Sequence, residues 1–126
     1  MKRARAFFLA LPILMISCGG GAKSLESRID RNELSAEQSR EYKQLVEYGD
    51  SMWAERIDRA NLEKALELWH QATKINDRDW LSYEKLARGT YFLADGWVSF
   101  DDDRKKLLET YERGFAYAER GMAALS

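Results

Sequence analysis

Glycines followed by lysine and serine near the start of the chain raise the question of a phosphate-binding loop. Residues 16–24 read ISCGGGAKS. A P-loop needs the spacing G-x-x-x-x-G-K-[ST], because its backbone amides must surround the phosphates that the lysine reaches. Ala22 precedes Lys23, and Ser17 stands where the first glycine should be. The spacing therefore argues against a nucleotide site and favours a flexible tether at the three glycines.

The single cysteine, Cys18, follows a segment typical of exported proteins. Residues 2–5 (KRAR) are basic, and residues 6–16 (AFFLALPILMI) are uncharged and mostly apolar, which is the pattern of a signal peptide. That apolar run is about half as long as a transmembrane helix. The sequence Met15-Ile16-Ser17-Cys18 resembles a bacterial lipobox. The resemblance implies cleavage before Cys18 and a diacylglycerol on its sulfur, whose buried methylenes each contribute roughly 0.8 kcal/mol to anchoring.

No grouping in the sequence predicts catalysis or metal binding. One cysteine excludes an intramolecular disulfide and a cysteine zinc cluster. His70, the only histidine, is predicted to lie on an exposed helix face. The acidic run 101–103 lacks the spaced ligands and central glycine of a calcium loop, and three basic residues follow it. We therefore predict a non-enzymatic protein without cofactors, apart from the lipid at Cys18, and a loop and helix cap at 101–103.

Composition limits the chain to one modest domain. It has 126 residues, of which 45% are hydrophobic and 33% charged, and its formal net charge is −1. Beyond residue 17 there are 17 basic and 21 acidic residues, a net charge of −4. This balance predicts no basic patch for nucleic acid. The only proline is Pro12, so helix is permitted throughout the rest of the chain.

Apolar spacing and capping residues predict an all-α domain over residues 35–126, after a signal peptide at 1–17 and a lipidated tether at 18–34. Ser35 with Gln38 fits a capping box at the first helix. Asn61 is the expected cap of the second helix. The third should end near Asp95-Gly96, a turn signal, and the fourth should follow the acidic run.

The four helices fall into two tetratricopeptide-like pairs, an α-solenoid of about two repeats. First helices of such pairs carry large residues before a small one, as in Leu45, Tyr48 and Gly49 and in Tyr83, Leu86 and Ala87. Second helices carry small residues around a central position, as in Ala65, Trp69 and Ala72 and in Gly114, Ala118 and Gly121. The loop DGWVSFDDDRKKLLE is longer than the standard repeat allows and is expected to contain extra helix.

Residues 40–125 as a whole resemble the TRAP-transporter-associated T component (TatT) family of bacterial lipoproteins. The resemblance rests on YGDSMWAERID, on LEKALELW, on the YFLAD helix with the acidic loop after it, and on YERGFAYAERG. It implies a periplasmic protein that associates with the solute-binding protein of a TRAP-type (tripartite ATP-independent periplasmic) uptake system. It also implies possible homo-oligomers. Because repeat arrays normally contain three or more units, two units suggest a shortened version of a longer protein.

Two functions remain open at this point. The first is partnership with a TRAP solute-binding protein, and the second is an envelope scaffold that assembles outer-membrane or secretion components. Both place the protein in the bacterial envelope, anchored by its lipid and facing the periplasm. Gly19 after the cysteine lacks the aspartate associated with inner-membrane retention, so the outer membrane is the expected location.

The repeat register also predicts the residues that line a partner-binding groove. In tetratricopeptide arrays, the first helix of each pair faces the concave surface. We expect a groove with aromatic residues and few charges, suited to a peptide segment or an apolar ligand. Trp53 and Tyr91 are equivalent in this register. The candidates are Val46, Asp50, Trp53, Glu84, Arg88, Tyr91 and Phe92.

Overall fold

The structure is a computed structural model that describes residues 33–126. The predicted signal peptide, Cys18 and nearly all of the tether lie outside this range. Within it the chain is mostly helical and contains no strand, which confirms the all-α class. The elements are α1 (Ala36–Ala54), α2 (Arg59–Ile75), α3 (Trp80–Gly96), a 3₁₀ turn (Val98–Phe100) and α4 (Arg104–Leu125).

Side-chain caps set the starts of the first two helices. The predicted capping box at α1 is confirmed: the Gln38 amide donates to Ser35 Oγ at 3.1 Å, and the Ser35 amide donates to Gln38 Oε1 at 3.0 Å. The cap predicted for α2 is wrong. The helix begins one turn earlier, because Asp58 Oδ1 accepts from the Ala60 amide at 2.9 Å. Asn61 instead donates its side-chain amide to the Glu55 carbonyl.

The long connection between α3 and α4 contains helix, as expected. The third helix ends at Gly96, and the 3₁₀ turn follows directly. Asp102 has φ 53°, a left-handed conformation that aspartate tolerates better than most residues and that turns the chain into α4. Asp103 then caps α4, its carboxylate accepting from the Lys106 amide at 3.0 Å.

Consecutive helices pack against one another, and small residues set their closest approaches. Gly49 is buried against Trp69: a Cβ at that position would lie 2.5 Å from Trp69 Nε1. On the next pair, a Cβ at Gly121 would lie 3.2 Å from Tyr83 Cβ. Gly49 and Gly121, two of the small positions that the repeat register predicts, therefore lie at helix–helix contacts.

Two buried clusters form the core. One contains Ala65, Trp69, Tyr83 and Leu86, and joins α2 to α3. The other contains Leu62, Leu93 and Val98, and holds the 3₁₀ turn against the same two helices. Trp53 packs against both clusters, so α1 is tied to the core through its C-terminal end. Among residues 33–126, no helix is both long and apolar enough to span a membrane.

Candidate partner-binding surface on helices α1 and α3

Trp53 is the centre of the surface that the repeat register predicts. It lies half-buried near the end of α1, where its ring centroid is 5.6 Å from that of Trp69 and 5.5 Å from that of Phe92. The Phe92 ring meets Trp53 edge-on at 70°, a favoured aromatic geometry. Phe92 itself is 41% exposed. Helix α3 therefore presents an accessible aromatic ring beside one that is anchored in the core.

Two guanidinium groups flank the Trp53 ring. Arg56 Cζ lies 4.5 Å from the Trp53 centroid and 5.4 Å from that of Phe92. Arg88 Cζ lies 5.5 Å from the Trp53 centroid. Both distances suit a cation–π contact, because the negative face of the ring attracts the cation. Arg56 also donates from Nη1 to the Trp53 carbonyl at 3.1 Å, which closes α1.

Asp50 connects three helices. Its carboxylate accepts from Trp69 Nε1 at 3.1 Å and from Lys85 Nζ at 2.7 Å. The ion pair with Lys85 is partly exposed, so its net contribution to stability is modest. Its structural effect is to fix the orientation of Trp69 against Gly49 and to hold α1 beside α3.

The structure brings most of the predicted groove residues together. Asp50, Trp53, Arg88 and Phe92 share the α1–α3 surface, and Glu84 joins them through an exposed contact of 3.6 Å with Arg88. Val46 is half-buried one turn before Asp50 on α1.

Tyr91 does not share this surface. It packs towards α4, where its ring atoms would lie 3.4 Å from a Cβ at Gly114 and its centroid is 6.0 Å from that of Tyr111. The Tyr111 hydroxyl in turn donates to Asp95. Tyr91 and Trp53 hold equivalent positions in the repeat register. Tyr91 nevertheless packs in the contact between α3 and α4, whereas Trp53 lies on the α1–α3 surface.

Sequence reasoning missed Arg56 and Lys85 as members of this surface. Arg56 follows Trp53 by three residues, which is one helical turn, so continuing the face of α1 past its end would have found it. Lys85 has no comparable local signal, because only the packing of α3 on α1 brings it to Asp50.

His70 differs from its prediction, because it is half-buried rather than exposed. Its ring lies edge-on to Tyr117 of α4, with centroids 6.1 Å apart, and Nδ1 is 3.4 Å from the Tyr117 hydroxyl. Burial lowers the pKa of His70 below 6.5, and the nearby charges of Lys74 and Arg120 lower it further. The neutral imidazole is therefore the favoured form.

An open cleft of about 850 Å³ lies beside His70, away from the Trp53 surface. Its wall includes the basic side chains of Lys74, Arg78 and Arg120 together with Asp77. These basic residues lie near the C-terminal ends of α2 and α4 and in the turn after α2. Cations at helix C-termini offset the negative end of the helix dipole, so the charge of the cleft has a structural explanation.

The acidic run caps α4, as predicted, and it also forms an ion pair that the sequence did not predict. Asp103 stands at the start of α4. The Asp101 carboxylate accepts hydrogen bonds from both terminal nitrogens of Arg59, at 2.9 and 3.0 Å. This pairing, assisted by Lys106, holds the pKa of the Asp101 carboxyl below its usual range and ties the loop to α2. Within the described part of the chain, no three histidine, cysteine or acidic side chains are grouped as metal ligands.

Comparisons of the chain with protein-family models, curated proteins and solved structures identified no match.

Proposed function

We propose that this chain is a non-enzymatic, lipid-anchored envelope protein that captures a partner protein on the α1–α3 surface. The partner is the solute-binding protein of a TRAP-type uptake system. The observation that carries the proposal is the partly exposed Trp53–Phe92 pair flanked by guanidinium groups. Aromatic and arginine side chains dominate the energetic centres of protein interfaces.

The arrangement of the helices supports a tetratricopeptide-like reading of the domain. Small residues lie at the close contacts of both helix pairs, at Gly49 in the first and at Gly114 and Gly121 in the second. Side chains of α1 also contact α3 directly, as in the 3.0 Å hydrogen bond between the Tyr42 and Ser82 hydroxyls. First helices that lie side by side form the continuous surface on which such arrays bind their partners.

Phe92→Ala is the variant that tests the surface. The full-length lipoprotein in detergent micelles is titrated, by biolayer interferometry, with the solute-binding protein encoded beside a TRAP permease in the same genome. We expect binding by the wild-type chain and a loss of about thirtyfold in Phe92→Ala, which corresponds to the roughly 2 kcal/mol of an interface hot spot. Phe92 belongs to neither buried cluster, so the variant is expected to keep its helical circular dichroism.

Phe115→Ala on α4 is the matched control, because Phe115 is also exposed, at 57%. It is expected to bind as the wild-type chain does. Equal losses in the two variants would move the binding surface away from α1 and α3. Absence of binding by the wild-type chain would refute the TRAP partner, and capture of outer-membrane assembly components would then favour the scaffold function.

A further inference from the structure

We infer that the α1–α3 surface recognises carboxylate groups of an acidic peptide segment on its partner, with Arg56 and Arg88 as the recognising groups. The inference deepens the proposed function, since it concerns the same surface. It does not depend on which protein carries the peptide.

Arg56 has no carboxylate partner within residues 33–126, and it differs from other cations of the domain in holding a buried donor that no acceptor meets. Arg59 binds both oxygens of Asp101, and Lys85 binds Asp50. Arg56 donates one Nη1 hydrogen bond to the Trp53 carbonyl, and its Nε is buried without a hydrogen-bond partner. A buried donor without an acceptor costs free energy, which a bound carboxylate would recover.

The Phe92 ring lies beside this guanidinium and is partly exposed. Its centroid is 5.4 Å from Arg56 Cζ, and it is 41% exposed and outside both buried clusters. A carboxylate that reached the Nε edge would meet the side of a guanidinium that binds carboxylates through two parallel hydrogen bonds. The exposed part of the Phe92 ring is available to an apolar side chain next to that carboxylate.

Arg88 supplies the second positive group. Its only ion pair within the described residues is the 3.6 Å contact with Glu84, in which both side chains are about half exposed. Such a pair contributes little and is readily exchanged for a better acceptor. Arg56 and Arg88 lie against the same Trp53 ring, so two carboxylates on neighbouring residues of one segment could reach both.

Charge complementarity therefore indicates a segment with glutamates or aspartates beside an apolar residue. Guanidinium groups held on aromatic faces suit this chemistry, because they are planar, weakly hydrated and unable to lose their charge. This surface thus differs from a purely apolar groove, because its aromatic rings are paired with cations that need acceptors.

Fluorescence anisotropy of the full-length lipoprotein in detergent micelles tests the inference. The probe is a fluorescein-labelled heptapeptide with glutamates flanking two leucines, and its partner probe carries glutamine in place of each glutamate. We expect the glutamate peptide to bind at least about tenfold more tightly, the scale of a hydrogen bond to a charged group. Added sodium chloride should reduce this preference, because salt screens charges at the surface.

Arg56→Met and Arg88→Met should each reduce the preference for glutamate while retaining the apolar stem of the side chain. Arg88 is 55% exposed, so its variant tests the inference even if Arg56→Met lowers stability. Arg40→Met is the matched control. It removes the same charge from the same helix as Trp53, about 20 Å away along the axis, and should leave the preference unchanged.

Equal affinity for the two peptides would overturn the inference, as would an equal loss in Arg40→Met. If Arg56→Met changes the sedimentation of the chain and neither peptide binds, the occupant is a second copy and the inference fails. Capture of the solute-binding protein without a glutamate preference overturns this inference alone. A glutamate preference without capture supports the carboxylate site and refutes the TRAP partner.

Discussion

Trp53 and Tyr91 show how one register position can serve two purposes. The repeat pattern predicts that alanine at either position weakens partner capture and leaves the fold intact. Trp53, however, packs against both buried clusters, and Tyr91 packs on Gly114. Removing a half-buried aromatic ring from such contacts creates a cavity, so both variants should also lose stability. Phe92 carries the exposed part of the surface and is the better probe of binding.

His70 predicts a pH dependence that can be checked by one substitution. Its native pKa lies below 6.5, so the unfolded chain takes up a proton first as the pH falls. The stability that this group contributes is complete above about pH 7. It should decline as the pH falls through the native pKa and then level off. Guanidinium-induced unfolding at pH 7.5 and 5.5 should show a smaller loss in His70→Gln than in the wild-type chain.

Tyr117 lies edge-on to this histidine, and Lys74 and Arg120 are the charged groups that act on its pKa. An equal loss of stability in the two proteins between pH 7.5 and 5.5 would contradict the burial of His70 described above.

Local caps set where the helices begin, and glycines set how closely neighbouring helices approach. The capping box at Ser35 was predictable, because all its hydrogen bonds lie within one turn. The start of α2 was not, because Asp58 and Asn61 are both good caps. Because α2 begins at Arg59, that residue binds Asp101 across the fold and Leu62 lies in the core. Which of the two caps starts the helix thus depends on contacts with the α3–α4 connection.

Gly49→Ala tests the packing of α1 on α2. The new Cβ would lie 2.5 Å from Trp69 Nε1, so the helices must separate or the indole must turn from Asp50. We expect the free energy of unfolding to fall by about 1–3 kcal/mol, the usual cost of overpacking, although alanine favours helix more than glycine does. Denaturant titration followed by circular dichroism measures the change.

Gly96→Ala at the end of α3 is the control for this prediction. Its Cβ would lie 3.9 Å from Phe92, an ordinary contact, and the change should stay within about 0.5 kcal/mol. A loss in Gly96→Ala as large as in Gly49→Ala would show that glycine at these positions does not act through helix spacing.

The molecule as a whole combines a helical domain with a predicted lipid anchor. Cys18→Ala should abolish labelling of the protein with radioactive palmitate and release it from the membrane fraction, because the thioether requires the cysteine sulfur. Ser24→Ala, a matched change six residues later, should label and fractionate as the wild-type chain does. Palmitate labelling that persists in Cys18→Ala would refute the anchor.

The sequence alone determined the helical class, the capping box, the end of α3, the start of α4 and the small residues at the helix contacts. These features follow from spacing within one or two turns of a single segment. Only the tertiary structure decided that Arg56 and Lys85 join Trp53, that Tyr91 turns to α4 and that His70 is half-buried. The physical reason is that the environment of a side chain on a helix depends on the helices packed against it. Those partners are separated along the chain by tens of residues, as Asp50 is from Lys85.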